Sequence, residues 1–338
     1  MSITIENDGI RVERADDLER WNDYVERSPQ GDVFHRLEAL EVQADHTGAT
    51  FHPLVGFKGQ EPVGLFPAFT ISKGGVTTTF SPPPNLWLPH LGPVLLNMEK
   101  LKRRKAERRH RRFVDGCLDW LDREFGPKYV HVRTGGRYED IRPFEWNDFE
   151  VLPRHTYEVD LTPGEESVLS SFSSDARSNT RTDESCYDIH VGGAQAIRRI
   201  IRQVEARHDE QGEPYRLSPD FAVDLYRSLP DGAVRPYVCD VDGEFAGGMI
   251  ALADDSRIYR WQGGAKHARD VPINDLVDWA IMRDAMDEGI PRYDLVGANE
   301  RRLCGYKAKF DPELVRYYSL ERGTRMMNLL TDVYKRFR

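Results

Sequence analysis

The chain has 338 residues, more than one typical domain needs and enough for two of about 150 residues each. Its 39% hydrophobic and 30% charged residues describe a globular protein, and no run of about 18 apolar residues is present to span a membrane. A formal net charge of -9 argues against a protein that coats nucleic acid through overall charge. The N-terminal MSITIENDGIRVERADD lacks the apolar core of an export signal, so a cytoplasmic location is expected.

Residues 14–45 carry apolar side chains at irregular helical spacing, Trp21, Tyr24 and Val25 and then Phe34, Leu37, Leu40 and Val42. Ser28-Pro29-Gln30-Gly31 interrupts them, which gives two helices and a turn. Phe51 to Phe57 and Val63 to Ile71 read as strands around KGQEP, a hairpin, and Val76 to Phe80 continues the sheet. Pro82, Pro83 and Pro84 cannot donate to a ladder and mark an irregular crossing, after which Leu86 to Leu96 reads as an edge strand. A long helix is expected from Met98 to Phe125, then a strand from Tyr129 to Arg133. Residues 134–154, rich in Gly, Arg, Pro and acids, read as a loop between halves.

The second half opens with a strand from Thr156 to Leu161 and a helix near Pro163 to Phe172. After SDARSNTRTDESCYD come helices from Ala194 to Asp209 and from Ser218 to Leu229. Arg257 to Gly264 alternates as a strand ending in a glycine pair. Ile273, Leu276, Val277, Ala280, Ile281 and Ala285 then recur at helical spacing, closed by Gly289. Tyr293 to Val296 is a short apolar strand, and Gly297 begins the turn into a last helix. Strand, loop, helix, strand is a parallel crossover. Ligands of open α/β sheets sit at the carboxyl ends of such strands, which directs attention to Trp261 to Asn274 and Asp294 to Lys309.

The two halves also match each other. FHPLVGFKGQEPVG aligns with VRPYVCDVDGEFAG, setting Pro53 against Pro236, Val55 against Val238 and Gly64 against Gly247. A Trp-bearing helix ending FGPKYVHV aligns with one ending EGIPRYDLV, which pairs Trp120, Gly126 and Tyr129 with Trp279, Gly289 and Tyr293. Two matches in one order point to a tandem duplication, with domains at 1–150 and 151–338.

That order, with a strand closing on YDLVG and a helix bearing GYKAKF, resembles the acetyltransferase (GNAT) fold in the tandem form of the FemAB-like and BioF2-like acyltransferases. The matching positions are LSSFSSDARSNTR at 169–181, Pro272 to Trp279, the Tyr293, Asp294 and Gly297 strand end, and Tyr306-Lys307 with Phe310. The resemblance implies an α/β fold of two tandem GNAT-like domains, mixed twisted sheets flanked by helices, the first domain degenerate and the second carrying the site. It also implies N-acyltransfer from an acyl-CoA thioester or an aminoacyl-tRNA ester to an amino group of a small molecule or a cell-surface glycoconjugate precursor. No tightly bound cofactor is implied. Ahead of the central helix RDVPIND stands where a glycine-rich pyrophosphate loop is usual, with Gly263 and Gly264 several residues earlier, so the donor stays open between acyl-CoA and aminoacyl-tRNA.

Acyl transfer to an amine requires positioning, removal of a proton and support of an oxyanion. Asp294, at a strand end, is a candidate base or orienting acid, or a structural partner of the next loop, and Tyr306 is a candidate proton donor or a core residue. Lys307 is suited to a ligand phosphate or carboxylate, or is a surface lysine. Arg177 and Arg181, four apart, are expected on one helix face as an anion clamp or a solvated pair. Trp261 and Gln262 are candidate groove residues, and Asn274 opens the central helix, where N-capping is the competing role. Cys117, Cys186, Cys239 and Cys304 form no CxxC pair, which indicates a reducing compartment, and no Cys or His spacing suggests zinc or any other metal. KLKRRKAERRHRR, Lys100 to Arg112, is a candidate contact for tRNA or a phosphorylated lipid head group, or a solvated face. A rival reading of the chain is a non-catalytic module binding RNA or an anionic surface through that helix.

Overall fold

The computed structural model describes residues 3–265 and 271–324. They divide into two compact units, residues 3–153 with 317–324, and residues 154–316. The first begins with a hairpin, β1 (Thr4–Asn7) and β2 (Ile10–Arg14), turned at Asp8-Gly9 with φ of +49° and +80°. Such a turn demands two left-handed residues, which Asp-Gly supplies. There follow α1 (Trp21–Arg27), α2 (Leu37–Thr47), β3 (Thr50–Lys58), β4 (Glu61–Lys73), β5 (Val76–Ser81), β6 (Val94–Leu95), α3 (Arg103–Phe125), β7 (Tyr129–Arg133), α4 (Arg142–Glu145) and β8 (Glu150–Asp160). The second unit adds α5 (Glu165–Ser171), α6 (Ser174–Asn179), β9 (Tyr187–Val191), α7 (Ala194–Gln211), α8 (Pro219–Ser228), β10 (Val234–Val241), β11 (Glu244–Asp254), β12 (Arg257–Gly263), α9 (Ile273–Asp287), β13 (Arg292–Asp294) and α10 (Arg301–Ala308). The last described strand is β14 (Glu313–Gly323).

In the first unit the strands run β1-β2-β3-β4-β5-β7-β14, with β5 and β7 parallel. Residues 317–324 cluster with this unit because Ser319 to Gly323 pair with Arg133 to Tyr129. In the second the order is β8-β13-β12-β11-β10-β9, with β12 and β13 parallel. Each unit therefore has an antiparallel hairpin, a third strand, a helix and a parallel strand, the tandem α/β architecture expected from the repeat.

The repeat extends to irregularities. The β3–β4 register shifts between Gly56 and Phe57, and the β10–β11 register shifts between Cys239 and Asp240. With Pro53 set against Pro236, these are one position. Gly56 faces Gly64, as Cys239 faces Gly247. The shared glycine has a steric cause. A Cβ on Gly64 would come within 2.5 Å of the Phe113 ring from α3, and one on Gly247 within 2.5 Å of Ala265 Cβ. Phe113 in turn anchors the amphipathic half of α3, with Cys117, Leu118 and Leu121, over Val12, Leu54 and Val63. A second core, with Ile258, Val277, Ile281, Tyr293 and Phe310, fills the second unit.

Some expected elements differ. The Leu86 to Leu96 strand reduces to Val94–Leu95, because Asn85, Trp87 and Gly92 take positive φ and Pro89 and Pro93 cannot donate. β9 lies within a segment whose polar composition, DESCYDIHV, hides an edge strand with a mostly exposed face.

Candidate active site

The two parallel strands of the second unit pair for only two residues, Ile258 with Tyr293 and Tyr259 with Asp294. Beyond that point they part. Leu295 N–H donates to Tyr157 O at 2.8 Å and Ala298 N–H to His155 O at 2.7 Å, drawing this chain toward β8. β12 stays with β11, where Gln262 and Gly263 face Ile250 and Met249. The splay leaves one edge of β12 without a strand partner past Tyr259 among the described residues.

Val296, at the tip of the splay, has φ +49°, a conformation that costs a β-branched residue about 1–3 kcal/mol. Hydrogen bonds hold it there. Val296 N–H donates to Asp294 Oδ1 at 2.7 Å, and Lys307 Nζ donates to Val296 O and Gly297 O, both at 2.7 Å. Lys307 is 4% exposed, and burial, followed by the nearby Arg260 charge, pushes its pKa down to about 8. Two of its three N–H groups serve those carbonyls. The third meets no acceptor among the described residues.

Asp294 is buried, and its Oδ1 accepts from Thr156 Oγ1 at 2.5 Å as well as from Val296. Its observed role is to brace the turn after β13. The hub of the network is Asp278, fully buried on α9. Its Oδ1 accepts from Tyr293 Oη at 2.6 Å and Arg260 Nε at 2.8 Å, and its Oδ2 from Tyr306 Oη at 2.6 Å. The Tyr306 hydroxyl proton is thus committed to a carboxylate, and burial together with Asp278 raises its pKa well above the usual phenol range. Lys309 Nζ lies 4.2 Å from the Tyr306 ring and 2.5 Å from Asp275 Oδ1, while Asn179 donates to Asp275 Oδ2.

The remaining expected residues are dispersed. Arg177 donates to Ser170 O at 3.1 Å and to Phe172 O, closing the turn between α5 and α6. Arg181 does not share its helix face, since α6 ends at Asn179 and the hydroxyls of Thr180 and Thr182 turn back onto Arg177 O and Asn179 O. Trp261 is 4% exposed and packs edge-on against Phe221, so it is a core residue rather than the wall of an open groove. Gln262 is buried and its Oε1 accepts from Tyr215 Oη at 2.9 Å. Asn274 makes no cap for its own helix. It pairs with the backbone of Ala265, accepting from its N–H at 2.8 Å and donating to its C=O at 3.1 Å, just after Gly263 and Gly264 with φ of +150° and +116°. A small cavity beside that turn is lined by Gln203, Ala206, Arg207 and Gly264, with Arg207 Nη2 3.4 Å from Gly263 O.

Sequence reading missed Asp278, Arg260 and Lys309, and it placed Asp275 beside Asn274 as an N-capping residue, whereas Asp275 pairs with Lys309 and Asn179. A signal existed for Asp278. It sits inside LVDWAIM, an apolar run buried all round, where an acid survives only with partners.

Residues 170–317 match the model of the acetyltransferase (GNAT) domain family. Among solved structures, FemX is similar at 12% identity and a TM-score of 0.70, covering 90% of this chain and 96% of that one. The C-terminal domain of a candidate lysylphosphatidylglycerol synthetase from Agrobacterium fabrum is similar at 14% identity and a TM-score of 0.53, covering 93% and 94%. A tandem GNAT protein from the clavulanic acid biosynthesis pathway is similar at 11% identity and a TM-score of 0.51, covering 95% and 98%. At these identities the likeness is one of fold. No curated protein sequence matches.

Proposed function

Since the chain has the tandem GNAT fold and its residues 170–317 match the model of the acetyltransferase (GNAT) domain family, we propose that it is an N-acyltransferase, passing an acyl or aminoacyl group from a thioester or a tRNA ester to an amine. The observation that carries this reading is the splay after Tyr259 and Asp294, with the Lys307 ammonium at its tip. The strand edge left open past Tyr259 offers backbone groups to an extended donor, as a further strand would. In the transfer the amine attacks the donor carbonyl, the C–N bond forms, the C–S or C–O bond to the donor breaks, and the proton lost by the amine leaves on the thiol or ribose hydroxyl. Lys307 is the group to offset negative charge on the carbonyl oxygen, through its remaining N–H, from a nearly buried position. Asp278 fixes Arg260 and Tyr306 around it, and Asp294 keeps the Val296 turn in place.

Two donor classes fit, acyl-CoA and aminoacyl-tRNA, and the acceptor is an amino group on a small molecule or on a glycoconjugate or lipid precursor. The fold shared with FemX and with the candidate lysylphosphatidylglycerol synthetase supports the aminoacyl branch. No tightly bound cofactor is needed, and a cytoplasmic place of action follows from either donor. The first unit serves as a scaffold. Its corresponding parallel pair, β5 and β7, is closed by the chain itself, with Leu91 bridged to Thr134 and donating to Arg133 O at 2.9 Å.

The test is a mass-spectrometric screen of acyl-CoAs and charged tRNAs against amine acceptors, run with the wild type and Lys307→Ala. A product carrying one new amide, lost or reduced about 100-fold in the variant while its fold is kept, supports the reading. Turnover equal in both removes Lys307 from the site.

A further inference from the structure

The densest charge feature of the chain lies outside this site, at the start of α3. Lys100 to Arg112 contains nine Lys or Arg and one Glu in a chain of net charge -9. Part of that charge is neutralised. Arg103 and Arg142 share Glu107 at 3.1 and 3.0 Å, Arg109 meets Glu61 at 3.2 Å, Arg111 meets Asp115 at 3.8 Å and Arg112 meets Asp8 at 2.7 Å. Lys102, Arg104, Lys105 and Arg108 are exposed and form no ion pair among the described residues.

Folding does not ask for this arrangement. The first turn of α3 holds no acid, so its cations stand at the positive end of the helix dipole, and Arg104 and Arg108 repel each other one turn apart. Both effects oppose the helix. A face needed only for solubility would mix the two signs.

A second, independent feature flanks it. Trp146 is 59% exposed, the largest exposure of any large aromatic described here, and the Arg142 guanidinium lies 5.6 Å from its ring. Arg142 is the residue tied to Glu107 of α3, so the exposed indole stands beside the cationic face.

We propose that the start of α3 and Trp146 together form a docking surface for an anionic lipid bilayer. The surface is a single convex helix, roughly 14 Å from Lys102 to Arg111 at 1.5 Å per residue, which a flat membrane touches tangentially. An indole at the rim is the side chain best suited to the headgroup layer, and cations near anionic lipid each strengthen attachment about fivefold. Single-stranded RNA would instead call for a groove and several stacking aromatics, which the described residues of this face do not supply. The attachment proposed is peripheral, through side chains on the surface of the helix, and among the described residues no helix is long and apolar enough to cross a membrane. This inference does not rest on the transfer reaction.

The full chain is tested by co-sedimentation with phosphatidylcholine vesicles, with and without phosphatidylglycerol, at low and high NaCl. Binding should require phosphatidylglycerol and fall with salt. Arg104→Glu with Arg108→Glu should lower the partition coefficient more than about tenfold. Brominated lipid should quench the wild type's tryptophan emission, and Trp146→Phe should remove most of that quenching. Unchanged circular dichroism and thermal midpoint in both variants certify their folds, and Arg104→Gln with Arg108→Gln should give a smaller loss in the same direction. Equal binding to neutral and anionic vesicles, or binding indifferent to charge reversal, overturns the proposal. So does a bulk tRNA control that binds and is lost with the same variants while vesicles stay unbound, since the face would then serve RNA.

Discussion

Asp278→Ala removes one carboxylate and strands three donors. Arg260 loses its partner at 2.8 Å, and the hydroxyls of Tyr293 and Tyr306 lose theirs at 2.6 Å. Truncating one member of a buried ion pair costs about 3–5 kcal/mol, because the other charge stays buried and alone. The two phenols add to this, since each leaves an unsatisfied donor worth about 1–3 kcal/mol unless water enters. The expected loss is therefore at least about 4 kcal/mol in the second unit. Asp278→Asn, which keeps an acceptor and loses the charge, should cost about half as much. A cycle with Arg260→Ala should return a coupling of about 2–3 kcal/mol. A two-unit chain does not unfold in one step, so the readout is hydrogen exchange in peptides covering α9 and β12, with β3 and β4 as an internal control. A loss below about 1 kcal/mol for Asp278→Ala, or a coupling near zero, would refute the hub assignment.

Other outcomes follow from single contacts. Lys307 has a folded pKa of about 8, below its ordinary 10.5, so the unfolded chain binds the extra proton between those values and stability rises with pH across that window. The rise, at most about 3 kcal/mol, should vanish in Lys307→Met when denaturation is followed from pH 7 to 11. His52, wedged against Trp120 and Phe125, has its pKa pushed down to about 4, by burial first and by Arg14 second. Its contribution makes the first unit lose stability as pH falls from 6.5 through 4, and His52→Leu should flatten that part of a pH titration of the thermal midpoint. Gly263→Ala places a Cβ 2.3 Å from Gly248 O at φ +150°, and a loss of about 2–4 kcal/mol is expected from hydrogen exchange in peptides covering β11 and β12. Asn274→Ala releases both backbone groups of Ala265, and its amide should exchange at least tenfold faster, which one amide-resolved exchange experiment decides.

Much of the architecture was legible in the linear order of residues, because hairpins, amphipathic helices and their ends are set by neighbours a few positions apart. KGQEP marks its turn, Gly126 and Gly289 mark helix ends, and the matched prolines and glycines reveal the duplication down to a shared bulge. Asp8-Gly9 carried an equally local signal for β1 and β2. The site was legible only as an address, the two strand ends after Tyr259 and Asp294. What each side chain does there was decided in three dimensions. Lys307 turns to the carbonyls of Val296 and Gly297, Arg177 to those of Ser170 and Phe172, and Asp278 gathers Arg260, Tyr293 and Tyr306 from three other elements. Periodicity records which face of an element is buried. It carries no record of which donor meets which acceptor once two elements have packed, and for charged groups out of water that pairing sets both their energy and their chemistry.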